Sequence, residues 1–246
     1  MIRNLFAGSL GSHRSAIRQL ETIELPRLSW DARWEIALHA LQQFNIELGR
    51  DIYIRLAAVS DGYPYYVHLI VEKLLWVLFE KEEPVLSVTW DDYFQALDNA
   101  ILSISAEMAR PYELAINQRS QDYEEVLWST SADEWQGAYL STMHARYTGI
   151  MAQIENKEAL SYEKFSSRIR NLLKPSHGEI LRKGQKTGFY HYREKMIRGY
   201  IRMQAEANRV EIISEEAKST IKNYIQVPAK NVGYFKSSVP KGVKQS

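Results

Sequence analysis

The chain has 246 residues, 31 Lys and Arg against 30 Asp and Glu, a formal charge of +1, and 45% hydrophobic with 25% charged residues. That balance is ordinary for a soluble globular protein, and it leaves only local charge to argue from. No cysteine is present, so disulfides, thiolate nucleophiles and cysteine-ligated zinc are excluded together.

In chain order, residues 2–8 (IRNLFAG) look like an apolar, turn-bounded strand, and residues 22–28 (TIELPRL) alternate like another. Two or three helical turns fit between them. From Ser29 the spacing becomes helical, with Trp34, Leu38, Leu41 and Phe44 recurring every three or four residues behind a Ser29 cap and Asp31. A second helix fits residues 51–60. The turn SDGYP follows, where Gly62 permits positive φ and Pro64 suits the first turn of a new helix. That helix, residues 65–81, is apolar on most faces and is expected in the core, His68 included. Thr89 with Asp92 approaches a capping box for a fourth helix over residues 89–102. Residues 29–105 therefore read as a helical bundle.

Near residue 106 a second unit begins. Residues 122–132, 139–151 and 161–173 form three short amphipathic helices, the last capped by Ser161. Residues 179–193 read as a hairpin turning between Gly184 and Gly188, and one more helix closes the unit near residue 210. Three helices followed by a β-hairpin is the order of a winged helix. Residues 211–246 end in a lysine-bearing tail without periodicity, read as flexible.

Local charge is the strongest chemical signal. Between residues 161 and 202 the cations are Lys164, Arg168, Arg170, Lys174, Arg182, Lys183, Lys186, Arg193, Lys195, Arg198 and Arg202, opposed only by Glu163, Glu179 and Glu194. Such a concentration on a third helix and a wing points to DNA, with the helix in the major groove and hairpin lysines on phosphates. The expected contacts are Lys164, Arg168, Arg170, Lys174, Arg182, Lys183 and Lys186. Phe189 and Tyr192 are expected to pack the hairpin. Enzyme signatures are weak: GxxxxGK[ST] is absent, Ala7 stands where a nucleophile elbow has glycine, and the histidines lack metal-ligand spacing, so no metal site is expected. The longest apolar run, Leu74 to Phe79, is far too short to span a bilayer, so a cytoplasmic protein with no membrane partner is expected.

Taken together, LFAGSLG, HRSAIRQLETIELPRLS, SDGYPYYVHLI and the final helices and hairpin resemble the C-terminal half of an AAA+ ATPase of the origin-recognition-like group of bacteria and archaea. The resemblance implies a mainly α fold with a small amount of β: a remnant of the AAA+ α/β core over 1–28, a helical lid over 29–105 and a winged-helix domain over 106–210. It implies Ser9 as the first sensor, Arg18 and then Arg14 as the arginine finger reaching a neighbouring subunit, and Tyr65 and Tyr66 in the second sensor region. There the family usually has an Arg. The phosphate loop and magnesium acids of the family have no counterpart, so no ATPase activity is expected of this chain alone. ATP and magnesium would enter only with a core supplied by a longer chain or another polypeptide; the expected partners are DNA and either a homo-oligomer or that missing N-terminal ATPase portion. Two other readings fit the same residues: a stand-alone winged-helix regulator and a protein-interaction module.

Overall fold

The structure, a computed structural model, describes residues 26–118, 122–132 and 137–212, which are mainly helical with one small sheet. Ser9, Arg14, Arg18, nearly all of the proposed core remnant and the end of the chain lie outside the described residues.

Four helices form the first unit: α1 (Trp30–Gln42), α2 (Arg50–Val59), α3 (Pro64–Phe79) and α4 (Trp90–Ser103). Their starts follow side-chain chemistry. Ser29 accepts a hydrogen bond from the Ala32 amide at 3.2 Å, and Thr89 with Asp92 closes a complete capping box on α4. Between α2 and α3, Asp61 (φ 52°) and Gly62 (φ 76°) both adopt left-handed backbone, and Pro64 then opens α3. The α1–α2 and α3–α4 connections are tied together by a bridge in which the Glu47 amide donates to Leu86 and the Glu47 carbonyl accepts from Val88.

The second unit comprises α5 (Ala106–Ile116), α6 (Tyr123–Thr130), β1 (Gly137–Tyr139), α7 (Leu140–Met151), α8 (Tyr162–Asn171), a 3-10 turn (Pro175–His177), β2 (Leu181–Lys183), β3 (Phe189–Tyr192) and α9 (Ile197–Ala207). The sheet is antiparallel in the order β1-β3-β2, with Gly137 opposite His191 and Leu181 opposite Tyr192. Two of these elements are absent from the sequence reading. Strand β1 is only three residues long, too short for its alternation to register. Helix α5 carries Pro111 in its interior, a residue that ordinarily ends a helix at a cost of about 3 kcal/mol. The helix survives because Tyr112 and Ala115 are buried, with the Tyr112 hydroxyl bonded to Glu124 at 2.9 Å and receiving the Trp128 indole N–H. Pro111 itself is packed against Gly178, where a Cβ would fall 2.1 Å from the Pro111 carbonyl oxygen.

Helix α9 joins the units. It packs on α2 and α4 of the first and on α5 and α6 of the second, and one continuous apolar core runs through both. At Gly199 a Cβ would meet the Tyr66 ring at 2.4 Å, so the absence of a side chain lets α9 close on α3. The Tyr66 hydroxyl then donates to the Met196 carbonyl at 2.8 Å.

Arginine chemistry locks this junction. Asp61, buried in the α2–α3 turn, receives Arg198 at 2.6 Å and Arg27 at 2.7 Å, with Arg202 at 3.6 Å. Arg33 and Arg202 also donate to the carbonyls of Ala57 and Ala58 at 2.9 Å, so the negative end of α2 shares the cationic load. Burial, and then the charge of Arg198, pull the Arg202 guanidinium down to about 10. Further along, Glu206 accepts both oxygens' worth of hydrogen bonds from Arg55 at 2.9 Å. The sequence reading counted Arg198 and Arg202 in the basic surface; both are buried in the core junction instead, because an i, i+4 pair on the packed face of α9 points inward. His68 departs the other way and is exposed on α3.

Asp61→Asn removes the carboxylate that three guanidinium groups share and is expected to lower the unfolding free energy by about 3–5 kcal/mol in urea titrations. For Asp92, burial alone would push the carboxyl up, but Lys81 and Thr89 outweigh it and hold it below its ordinary 3.8. A depressed carboxyl stabilises above its unfolded value and loses that contribution as pH falls through the folded one. Asp92→Ala is therefore expected to cost about 1–2 kcal/mol at neutral pH, with the gap to wild type narrowing in melts run below pH 3.8.

Candidate functional site

The cationic residues singled out in the sequence gather around α8 and the β2–β3 hairpin, but not as one equivalent set. Ser161 caps α8 by accepting from the Lys164 amide at 3.4 Å. Phe165, Ile169 and Leu172 are completely buried and fix the helix rotation, with the Phe165 ring against His144 and Tyr147 of α7. With those three inward, helical geometry turns Glu163, Ser167 and Arg170 outward and Lys164 to one flank, and Lys174 follows in the extended residue after the helix. Lys164, Arg170 and Lys174 are exposed accordingly. The Lys174 ammonium is steadied by the Asn171 side chain at 2.8 Å.

Arg168 takes a different place. It lies closer to the packed face and forms a two-pronged ion pair with Asp122, Nε to Oδ1 at 2.7 Å and Nη2 to Oδ2 at 2.9 Å, while its guanidinium stands 5.2 Å from the centre of the Tyr123 ring. Its charge is thus met at the α6–α8 contact, which the sequence reading did not foresee because Asp122 is 46 residues away.

The hairpin is rooted to α8 by backbone. The Leu181 amide donates to the Leu172 carbonyl at 3.2 Å, and Arg193 donates to Ile180 at 2.9 Å. Leu181, Tyr190 and Tyr192 are buried, with the Tyr192 hydroxyl 2.7 Å from Thr130. Phe189 stacks edge-on to Tyr139; both aromatics of the wing therefore pack the hairpin, as the sequence implied. Strand alternation puts Lys183 on the face of Leu181 but beyond the core, and Arg182 on the opposite face with His191. Lys186 lies in the turn, where its carbonyl accepts from the Phe189 amide. Arg182 instead borders a cleft of about 690 Å³ against α5, with Glu107, Glu179 and Glu194 around it. Arg193, at the same cleft, is paired with Glu179.

His177, in the turn between α8 and β2, reports the local field. Burial, and then the charges of Lys174 and Arg168, hold its imidazole below the ordinary value of 6.5.

Tyr65 and Tyr66 lie in the first unit at the start of α3 and are not brought to this surface. Tyr65 is exposed, whereas Tyr66 is fully buried, with its hydroxyl engaged by Met196 and pushed well above its ordinary value, first by burial. Among the described residues no cluster of three or more His, Asp or Glu could hold a metal ion, and no helix is long and apolar enough to cross a membrane. Compared with known proteins, the chain matches no family model, no curated protein and no solved structure.

The two arginines of α8 should separate in experiment. Arg168→Ala breaks a half-buried bidentate pair and is expected to cost about 0.5–1 kcal/mol of stability. Arg170→Ala, on the exposed side, should stay within about 0.5 kcal/mol of wild type. Chemical unfolding of both variants checks the assignment.

Proposed function

We propose that this protein binds duplex DNA through α8 and the β2–β3 hairpin in the manner of a winged helix, and that the α1–α4 bundle corresponds to the lid of an origin-recognition-like AAA+ ATPase. One observation carries the DNA reading. Lys164 and Arg170 on the helix, Lys174 just beyond its end, and Lys183 and Lys186 on the hairpin are all exposed, and the helix and hairpin are joined by a backbone hydrogen bond at their shared root. The element order helix, strand, helix, helix, hairpin supports the same reading. A helix of this polarity fits the major groove, and hairpin lysines beside it neutralise phosphates and release counterions. The lid assignment rests on the resemblance of the SDGYP turn and its following helix, now joined to the second unit through Asp61 and Tyr66.

The two contact types carry different signatures. Replacing Lys183 and Lys186 with Ala is expected to weaken binding to all duplexes alike and to lower the log–log salt slope by about one unit per lost contact. Arg170→Ala is expected to cost about 1–3 kcal/mol on a selected site and to relax preference at one position. Titrations of random and selected duplexes at several salt concentrations measure both. Unchanged affinities in both variants would move this surface from DNA to a protein partner.

A further inference from the structure

The first unit carries a second surface that the DNA reading leaves unused. Helix α3 was expected to be core on most faces, yet Trp76 is 55% and Phe79 79% exposed, and Phe44 beyond the end of α1 is 62% exposed. Trp76 and Phe79 meet edge to face, 5.9 Å between centres. Together with Ile46, Leu75 and Val85 these side chains line an open cleft of about 670 Å³ between the end of α3 and the α1–α2 connection. Contiguous apolar surface of this kind marks an interaction site.

Its rim is mainly acidic. Glu82 and Glu83 border the cleft, and Glu80 is exposed at the end of α3. The cation among them, Lys81, is turned to the buried Asp92 carboxylate at 2.5 Å, so it does not offset the three glutamates. The other bordering acid, Glu72, is met by Lys73. An apolar floor beside an uncompensated acidic rim is complementary to a segment that carries Lys or Arg next to its apolar side chains. A second copy of this chain fits poorly, because a two-fold contact sets each patch against itself and would oppose Glu82 and Glu83 to their own copies.

We propose that the α3 cleft is a docking groove for a basic amphipathic helix of a partner protein, whose apolar face covers Trp76 and Phe79 and whose cations meet Glu80, Glu82 and Glu83. The proposal does not depend on DNA binding by α8, which lies in the other unit.

The test uses the full chain and two labelled peptides of identical pattern, an amphipathic Leu/Lys helix and a Leu/Glu helix, followed by fluorescence anisotropy at several salt concentrations. The Leu/Lys peptide is expected to bind and the Leu/Glu peptide not. The double substitution Trp76→Ala, Phe79→Ala should weaken binding at least about tenfold. Glu82→Lys with Glu83→Lys should also weaken it and flatten its salt dependence. All four side chains are exposed, and unchanged circular dichroism and urea-unfolding midpoints will show the variants folded. Failure of the Leu/Lys peptide to bind, equal binding of both peptides, or indifference to the substitutions would overturn the proposal. So would a dimer weakened by the Trp76 and Phe79 changes, which would make a second copy the occupant. Binding seen only after removal of residues 227–246 would give the groove to this chain's own lysine-bearing end and overturn it as well.

Discussion

One buried carboxylate holds the described protein together. Asp61 is 1% exposed and sits in a turn whose backbone is left-handed at two successive residues, and three arginines from two distant parts of the chain converge on it. Burying such charge is costly unless the geometry is complete. The arginine contacts all fall on Asp61 Oδ1, the buried Oδ2 accepts none among the described residues, and the C-terminal carbonyls of α2 take further guanidinium protons from Arg33 and Arg202. Electrostatics alone would make a brittle joint. The apolar core that continues across it, and the Tyr66 ring seated at Gly199, supply the area.

Much of the helical frame was legible because local chemistry and tertiary packing agree there. Ser29, Thr89 and Ser161 act as caps in the structure as in the sequence, and the hairpin forms around Gly184 and Gly188. Helix α5 was hidden because Pro111 breaks the local pattern while its compensation lies at Tyr112, Glu124 and Gly178, far along the chain. Strand β1 was hidden because three residues hold too little pattern. The AAA+ and winged-helix resemblance rests on motif order, and the structure is mainly helical with a three-stranded sheet.

Charge counted along a sequence is not charge presented in space. Of the cations between residues 161 and 202, Arg198 and Arg202 serve the interior, Arg168 and Arg193 face carboxylates, and Arg182 borders a cleft with glutamates. What reaches solvent on α8 and the hairpin is a smaller set with a definite layout. The signal that separates them was partly available: Arg198 and Arg202 recur at helical spacing among Ile197, Ile201 and Met203, an apolar stripe that points them inward. No comparable local signal marks Arg168, whose partner is fixed only by folding.

The hydrogen bond from Leu181 to Leu172 has a mechanical consequence. It ties the base of the hairpin to the end of α8, so the interval between the two backbone segments that carry these cations is set by main chain, and rotamers move the charges only within a side chain's reach of it. The polyanion of the proposed function, laid across both, would meet a spacing fixed at the level of the backbone. Its backbone must match that interval or deform to it, and the cost of deformation would then differ among molecules of identical charge.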